Sequence, residues 1–250
     1  MSGGRKRTRR RRLPSANHTN ILKLALVAET PLPAADQTFV LPELGLAPDR
    51  PLVIVDVDEV VALFMQGFAR FVARRGYEMR IERFALFQNI FRPGESASID
   101  LATGRSLFDD FFRTEGEDME PAPGAAEALA ALSETAQVVI LTNAPEHGRT
   151  GRARWLARHG MDYPLVINSG PKGPAVAALQ RLTERPAAFV DDLLPNLDSA
   201  AIHAPAVRRF QIVADERLRP FAPAEPDRHA WHDDWGTLRQ ALERSILSSE

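Results

Sequence analysis

Short apolar runs, each followed by polar residues, are the feature that most constrains how this chain of 250 residues folds. A strand that is buried on both faces of a parallel sheet reads as a continuous apolar run, whereas a half-exposed strand alternates. Four such runs are present, and a fifth, weaker one follows them. We predict strands at Leu52–Val55 (LVIV), Val138–Leu141 (VVIL), Leu165–Ile167 (LVI), Ala187–Val190 (AAFV) and Phe210–Val213 (FQIV).

Stretches with helical patterning separate these runs. An early proline, an Ala/Leu face, a glycine stop or capping aspartates mark their limits. Strands that alternate with helices favour the α/β class, here a doubly wound, Rossmann-like parallel sheet core. The predicted helices are Pro123–Leu132, Arg152–His159, Pro174–Leu182 and Asp233–Ile246.

The alternation is interrupted between the first strand and the helix at Pro123. Residues 62–118 have helical periodicity and hold nine of the chain's 13 phenylalanines. Phenylalanines at helical spacing usually pack a core, so we predict a small α-helical cap inserted after the first strand. Two sets have this spacing: Phe64, Phe68 and Phe71, and then Phe84, Phe87 and Phe91.

The first fifty residues do not follow the strand–helix pattern. Residues 1–12 carry seven basic groups and no acidic one, which leaves 24 basic against 33 acidic residues in the rest of the chain. Such a run is typical of a solvated, disordered arm; binding of nucleic acid through phosphate charge is the less favoured alternative. We predict a disordered basic tail at 1–15, an N-terminal extension at 16–50, the α/β core at 51–61 and 119–250, and the cap at 62–118.

Composition also narrows the cellular setting. The chain has no cysteine, which excludes disulfides and thiolate metal sites and is compatible with the cytoplasm. No run approaches the ~20 apolar residues of a membrane span. The apolar stretch Ile21–Ala28 is interrupted by Lys23 and is followed by no clear cleavage site, so export is not expected. We predict a cytoplasmic protein with no membrane partner.

Polar side chains follow four of the predicted strands at their carboxyl ends. In an open parallel sheet these ends meet at one edge, where ligands bind near the point at which strand order reverses. Side chains two apart on an extended strand share a face, so we expect Asp56 and Asp58 to project to the same side. The strand ends supply Asp56 and Asp58, then Thr142 and Asn143, then Lys172, and then Asp191 and Asp192.

This set of side chains suits phosphoryl transfer. Carboxylates from separate strands can hold Mg²⁺, which prefers hard oxygen ligands, and the metal offsets repulsion between an anionic nucleophile and a phosphate. Lys172 and the Thr142 hydroxyl would hold the phosphoryl oxygens. One aspartate of the D-x-D pair would attack phosphorus while the other handles the proton of the leaving group.

Each residue has a simpler interpretation when it is taken alone. An Asp pair after a strand can bind a ribose or cap a helix, and Asp191 with Asp192 can cap the helix that follows. Thr142 can be a turn hydroxyl and Lys172 a solvated charge. Their joint occurrence, in order and each at a strand end, is much harder to explain by capping.

The chain resembles the haloacid dehalogenase-like hydrolase superfamily, in its phosphatase branch with a helical C1-type cap. The resemblance covers about residues 51–215 and includes the family's helix and strand before its second motif, here Pro121–Asn143. All four motifs are matched: Asp56-Val57-Asp58-Glu59-Val60, Leu141-Thr142-Asn143, Lys172 in Pro171-Lys172-Gly173-Pro174, and Phe189-Val190-Asp191-Asp192.

The resemblance implies a role for each matched residue. Asp56 would be the nucleophile and a magnesium ligand. Asp58 would be the general acid and then the base, and would lend its backbone carbonyl to the metal. The other implied roles are substrate phosphate binding for Thr142, Asn143 and Lys172, magnesium binding for Asp191, and an additional acidic partner at Asp192.

The resemblance also limits the reaction. Asp58 favours phosphoester or phosphoanhydride substrates, because the metal-free dehalogenase branch lacks this second aspartate. Residues 62–118 contain no lysine, which argues against the phosphonate-cleaving branch and its cap lysine. We therefore predict a magnesium-dependent phosphatase for a small phosphorylated metabolite. The alternatives are a phosphotransferase of the same superfamily and a non-catalytic binding module with a basic tail that binds nucleic acid.

Weaker candidates surround these motifs. The arginines after the second motif are interpreted as an exposed helix face, with steering of an anionic substrate as the alternative. A loop histidine is interpreted as solvated rather than substrate-bound, and a histidine–aspartate group as a helix start rather than a metal site. These residues are Arg149, Arg152 and Arg154, then His147, and then His229, His232, Asp233 and Asp234.

Overall fold

The computed structural model describes residues 44–247; the predicted tail at 1–15 and the part of the extension at 16–43 lie outside the described residues. The strands are β1 (Leu52–Val55), β2 (Glu78–Met79), β3 (Ile90–Phe91), β4 (Gln137–Thr142), β5 (Leu165–Ile167), β6 (Ala187–Asp191), β7 (Arg208–Ile212) and β8 (Ala230–His232). The α-helices are α1 (Phe64–Arg74), α2 (Leu101–Thr114), α3 (Ala125–Thr135), α4 (Arg149–Arg158), α5 (Gly173–Gln180), α6 (Leu194–His203) and α7 (Trp235–Leu247).

Six strands form the central sheet, in the order β5-β4-β1-β6-β7-β8, and every neighbouring pair is parallel. From β1 the chain runs to β4 and β5 on one side and then crosses to β6 on the other side, so strand order reverses beside β1. The five predicted apolar runs all lie in this sheet. The predicted α/β, doubly wound core is therefore confirmed.

Helices cover both faces of the sheet because successive side chains of each strand point to opposite faces. On one face, Leu52 and Ile54 of β1 pack with buried side chains of α5 and α6. On the other face, Val53 and Val55 pack with α3, α4 and α7 and with part of the inserted segment. Full burial of an aliphatic side chain contributes about 1.5–3 kcal/mol, so these two layers of contacts fix where the strand ends lie.

The sixth strand of the sheet, β8, is absent from the sequence prediction. It has three residues, Ala230, Trp231 and His232, and it lies at the sheet edge with partly exposed side chains. A short, partly exposed edge strand needs no continuous apolar run, so its sequence gives little indication that a strand is present. Its pairing with β7 adds a sixth strand to the five that the sequence predicts.

The segment between β1 and α3 forms the predicted cap, and its core is aromatic. Phe68 stacks on Phe64 with ring centroids 5.3 Å apart and meets Phe111 edge-on at 5.4 Å. Phe71 also meets Phe111 edge-on, at 5.3 Å. Aromatic pairs of this geometry contribute about 0.5–1.5 kcal/mol beyond their buried area, so the first phenylalanine set packs α1 against α2 as expected.

The second phenylalanine set does not form a helix, and that part of the prediction is wrong. Phe87 lies in a short 3₁₀ turn, Phe87–Asn89, and Phe91 lies in β3, which pairs with β2 as an antiparallel ribbon. Asn89 explains the difference, because its buried Nδ2 donates to the carbonyls of Arg83 at 2.8 Å and Ala85 at 2.6 Å. These side-chain bonds satisfy the backbone in place of a helical ladder.

The described part of the predicted extension, residues 44–50, packs on the core. The guanidinium of Arg50 donates to the carbonyls of Ser133 and Ala136, both at 3.0 Å, and so closes the carboxyl end of α3. Cations at this end of a helix are favourable. Between residues 44 and 247, the helices are all too short or too polar to cross a bilayer.

Close packing beside the sheet edge depends on Gly173, the first residue of α5. A Cβ at this position would lie 2.3 Å from the carbonyl oxygen of Ser199 in α6. The glycine N–H donates to the Ser199 hydroxyl at 3.2 Å. The added Cβ would therefore meet the backbone of Ser199 as well as its hydroxyl, at 2.4 Å, and rotation of the serine side chain would not relieve the backbone contact.

We predict that Gly173→Ala destabilises the fold by about 1–3 kcal/mol, because the added methyl overpacks a backbone contact. The matched control is Gly151→Ala in α4, where the added Cβ would meet only the side chain of Glu117, at 3.6 Å. That control should be neutral or stabilising, since alanine favours helix. Urea unfolding of both variants measures the difference, and equal stability of the two would contradict the packing role of Gly173.

Candidate active site

The first two acidic residues of the site lie level on neighbouring strands. Asp56 directly follows β1 and Asp191 ends β6. Val55 pairs with Val190, and the N–H of Asp56 donates to the carbonyl of Val190 at 3.0 Å. Register partners of a parallel pair share a face, so both carboxylates point to the same side of the sheet. Both residues are buried.

Lys172 bridges these two carboxylates. It immediately precedes α5, and its Nζ lies 2.6 Å from Asp56 Oδ1 and 2.7 Å from Asp191 Oδ2. Lys172 is 1% exposed, which rules out the interpretation of a solvated surface charge. Three of the sequence-predicted site residues thus form one buried ion cluster.

Burial dominates the electrostatics of this cluster. It raises the pKa of Asp56 to about 7, although the Lys172 ammonium lowers it, and the carboxylates of Asp191 and Asp58 add to the rise. Burial alone would lower the pKa of Lys172, but Asp191 and Asp56 raise it above its ordinary value, so the ammonium stays charged. Burial, and then the charges of Asp191 and Asp56, also raise the pKa of Asp192 well above its usual range.

Asp192 completes a group that fits a metal ion. Carboxylate oxygens of Asp56, Asp191 and Asp192 all lie within 4.8 Å of one another, and all three residues are buried. Three carboxyl groups face the single ammonium of Lys172, so their full ionisation would leave excess negative charge at this edge. Hard oxygen donors in this arrangement suit Mg²⁺. The sequence predicts Asp192 only as an additional acidic partner, and the geometry places it in the group.

Asp191 is held more tightly than Asp192. Its Oδ1 accepts from the N–H of Leu193 at 2.9 Å and from Asn196 Nδ2 at 3.0 Å, and Oδ2 accepts from Lys172 and Asn196. Within residues 44–247 the Asp192 carboxylate accepts no hydrogen bond, so its oxygens are the more available donors. Asn196 was not a sequence candidate; its position in the first turn of α6, five residues after Asp191, is the signal that was missed.

Thr142 and Asn143 lie at the end of β4, next to β1 in the sheet. The Thr142 hydroxyl accepts from the N–H of Ala144 at 3.3 Å. Asn143 Nδ2 donates to the carbonyl of Gly170 at 3.0 Å, and its Oδ1 accepts from Asn168 at 2.8 Å. These bonds tie the end of β4 to the loop that leads to Lys172. Their predicted role in phosphate binding stays a prediction.

Asp58 does not join the cluster around Lys172. β1 ends at Val55, and the chain then turns, with the N–H of Val61 donating to the carbonyl of Val57 at 3.0 Å. The expectation that Asp56 and Asp58 project to the same side requires an extended strand. Because the strand ends before Asp58, that expectation does not hold there. Its carboxylate accepts instead from Arg152 Nη2, at 2.7 Å to Oδ1 and 3.0 Å to Oδ2.

The interpretation of Arg152 as part of an exposed helix face is wrong. Arg152 is 1% exposed and lies on the inner side of α4. It precedes the buried Trp155 and Leu156 by three and four residues, which places it on their face of the helix. That spacing was the available signal. Arg149 and Arg154 are exposed as expected, in ion pairs with acidic side chains.

Glu59 fixes the turn that follows Asp58. It has a φ of 60°, in the left-handed region that non-glycine residues rarely adopt. Its buried carboxylate accepts from the N–H of Met65 at 2.7 Å and of Asp215 at 3.2 Å. Burial raises the pKa of Glu59 to about 8. This side chain joins the turn to the start of α1 and to the loop after β7.

The remaining histidine candidates have structural partners. His147 Nε2 lies 3.3 Å from Asp109 Oδ1 on the cap helix α2. His229 is buried, with Nε2 2.9 Å from Asp198 Oδ1. Asp234 accepts from the N–H of Thr237 at 2.8 Å, as a cap of α7, in agreement with the helix-start interpretation. Among residues 44–247, the group at Asp56 is the one acidic or histidine cluster that could hold a metal.

Comparison with solved structures supports the fold. No family model and no curated protein matches the sequence. A haloacid dehalogenase-like family hydrolase from Streptococcus pneumoniae has a TM-score of 0.53 at 12% identity, covering 77% of this chain and 98% of that chain. The chain has the haloacid dehalogenase-like fold. The resemblance that the four motifs indicated is confirmed at the level of this fold.

Two further solved structures with this fold carry different names. A predicted phosphoglycolate phosphatase from Haemophilus somnus has a TM-score of 0.53 at 13% identity, covering 79% of this chain and all (100%) of that chain. An L-2-haloacid dehalogenase has a TM-score of 0.51 at 15% identity, covering 77% and 99% of the two chains. The haloacid dehalogenase-like fold is thus found under names of different activities, and function must be argued from the site.

We predict that the metal-free protein loses stability as pH rises from about 4 to about 7. The folded state keeps protons on Asp56 and Asp192 that the unfolded state has released, so the folded state is favoured at the lower pH. The raised pKa of Glu59 acts in the same direction. Mg²⁺ should therefore stabilise the protein more at about pH 8 than at about pH 5. At a hundred times its Kd under the given conditions, the ion stabilises the folded state by ~2.7 kcal/mol.

Urea unfolding with a chelator and with Mg²⁺, at both pH values, measures these effects. Asp192→Asn should weaken the stabilisation by Mg²⁺ and flatten the pH dependence. Asp162→Asn, which changes an exposed aspartate, is the matched control and should do neither. A magnesium effect that is unchanged in Asp192→Asn would show that the ion binds elsewhere.

Proposed function

We propose that this protein is a magnesium-dependent phosphatase that hydrolyses a small phosphorylated metabolite through an aspartyl-phosphate on Asp56. The observation that carries the proposal is the buried contact of Asp56 with Lys172, 2.6 Å apart, inside a group of three carboxylates at the carboxyl edge of the sheet. In this fold ligands bind at that edge, where strand order reverses. A buried cluster of like charges is costly to fold and is typical of functional sites.

Asp56, Asp191 and Asp192 are the residues that would hold the magnesium ion. When bound, the ion would supply positive charge against the repulsion between a carboxylate nucleophile and an anionic phosphate. The donor set fits this ion because it consists of carboxylate oxygens, and Asp192 presents oxygens that accept no hydrogen bond within the described residues. Asn196 keeps Asp191 in place through its two bonds to that carboxylate, at 3.0 and 3.2 Å.

Asp56 would act as the nucleophile. One of its carboxylate oxygens would form a bond to phosphorus while the bond from phosphorus to the leaving oxygen breaks, and Asp58 would give that oxygen a proton. Water would then attack phosphorus and pass its proton to Asp58, which frees inorganic phosphate and regenerates Asp56. Dividing hydrolysis into two displacements in this way is covalent catalysis.

Lys172 would serve both steps. Its ammonium already lies against Asp56 and keeps its charge, because Asp191 and Asp56 raise its pKa. It would hold the attacking oxygen in place and neutralise charge on the phosphoryl group as that charge develops. The cap above the sheet edge would exclude water from the site and contact the rest of the substrate.

We predict that Asp56→Asn abolishes magnesium-dependent phosphate release, because an amide cannot form the covalent intermediate. Release of inorganic phosphate from a panel of sugar phosphates, nucleotides and other small phosphoesters measures this directly. Asp162→Asn, an exposed change, is the control and should behave as wild type. If wild type and Asp56→Asn are equally inactive on the whole panel, a non-catalytic binding module becomes the better explanation.

The phosphotransferase alternative differs only in the acceptor of the second step. Adding small alcohols and sugars during turnover tests it, with phosphorylated products detected by mass spectrometry. We expect inorganic phosphate to account for all the phosphate lost from the substrate. A phosphorylated acceptor that depends on Asp56 would establish the alternative.

A further inference from the structure

Arg152 of α4 contacts Asp58 in the turn that follows β1. Its guanidinium has no exposed surface, and Nη2 donates to both carboxylate oxygens of Asp58, at 2.7 and 3.0 Å. These are charge-assisted bonds, which are shorter and stronger than bonds between neutral groups. Asp58 is itself 26% exposed at its side chain, so one side of the carboxylate remains accessible.

The other surroundings of the guanidinium are apolar. Nη1 lies 4.0 Å from the sulfur of Met119, and Cζ lies 5.1 Å from the centre of the Phe112 ring. The buried Nε has no hydrogen-bond partner among residues 44–247. Asp58 is thus the sole ion-pair partner of Arg152 in the described chain. A buried ion pair of this kind is a weak argument for a stabilising role in the fold, because the cost of desolvating the two charges offsets their attraction.

The neighbouring arginines of α4 show what a mainly structural contact looks like. Arg154 and Arg158 both bind Glu117, just after the cap helix α2, and both side chains are more than half exposed. They hold the connection between the cap and the core from outside. Arg152 differs from them in its complete burial and in its choice of partner, since Asp58 belongs to the motif that carries the proposed chemistry.

We propose that Arg152 is a positioning residue that fixes the orientation of the Asp58 carboxylate toward the reacting groups, an inference that rests on the proposed phosphatase function. Phe112 of the cap and Met119 just after it contact the guanidinium, which has no exposed surface. The planar guanidinium holds a carboxylate in a defined direction, which a flexible ammonium does less well. Small errors in the placement of a proton-transfer group reduce the rate strongly, about 10²-fold for 1 Å.

The test is a double-mutant cycle in kcat with the full chain and the best substrate of the phosphate-release panel. Arg152→Gln should lower kcat about 10–100-fold, the range expected for a displaced proton-transfer group, and change KM less than about threefold. Arg152→Lys should restore part of the loss. Arg154→Gln is the matched control on the same helix and should leave kcat within about twofold.

The decisive comparison is made in the Asp58→Asn background. There, Arg152→Gln should cause no further fall in the rates of aspartyl-phosphate formation and breakdown, measured by rapid quench, because Arg152 acts through the Asp58 carboxylate. Urea unfolding of each variant separates this effect from loss of folded protein. If Arg152→Gln does not fold, Arg152→Lys carries the same comparison.

Each other outcome identifies what is wrong. An equal fall in kcat in both backgrounds, or an unchanged kcat in Arg152→Gln, would overturn the positioning role and leave the phosphatase function intact. Wild-type protein whose turnover does not depend on Asp56 would overturn the proposed function and the inference together. A fall in kcat that follows the loss of folded protein in every variant would reduce Arg152 to a structural residue.

Discussion

The centre of this molecule depends on the ion pairs that the buried ammonium of Lys172 makes with Asp56 and Asp191. The sheet register places Asp56 and Asp191 level on neighbouring strands, so two buried carboxylates would repel each other without the cation between them. Removing one member of a buried ionic group typically costs about 3–5 kcal/mol. Even with Lys172 present, ionisation of Asp192 would leave the edge with excess negative charge; burial, and then the charges of Asp191 and Asp56, raise the pKa of Asp192. A divalent cation is the natural complement of this arrangement.

Helix α4 connects this centre to the inserted cap. Its outer face holds Glu117 through two exposed arginines, and the indole of Trp155 donates to the carbonyl of Met119 at 2.9 Å. Its inner face presents Arg152 to Asp58. One helix therefore fixes both the return of the chain from the cap and one of the two motif aspartates. The position of the cap and the orientation of Asp58 depend on the same rigid element.

Sequence reasoning recovered the features that depend on local patterns. The buried strands appear as apolar runs, and the residues after them meet at one edge because parallel strands share a direction. It failed where the outcome depends on tertiary contacts. Asn89 replaces a helix with a turn through two side-chain bonds, Arg152 is buried on a helix that looks basic and solvated, and β8 is too short and exposed to leave a pattern. The type of residue alone does not distinguish these cases from their ordinary alternatives; only for Arg152 does the spacing to the buried Trp155 and Leu156 indicate the observed face.

The two motif aspartates differ in the cation that each one contacts. Asp56 faces the ammonium of Lys172 inside the carboxylate cluster, whereas Asp58, only two residues later, faces the guanidinium of Arg152 outside it. The turn after β1 makes this separation, and Glu59 holds that turn in a left-handed conformation through its bonds to Met65 and Asp215. Two carboxylates in different environments can take different roles, one as nucleophile and one in proton transfer. Because a structure named as a dehalogenase shares this fold, the sheet does not decide the substrate group, and the proposal of a phosphate substrate rests on the site, where the second aspartate is the distinguishing residue.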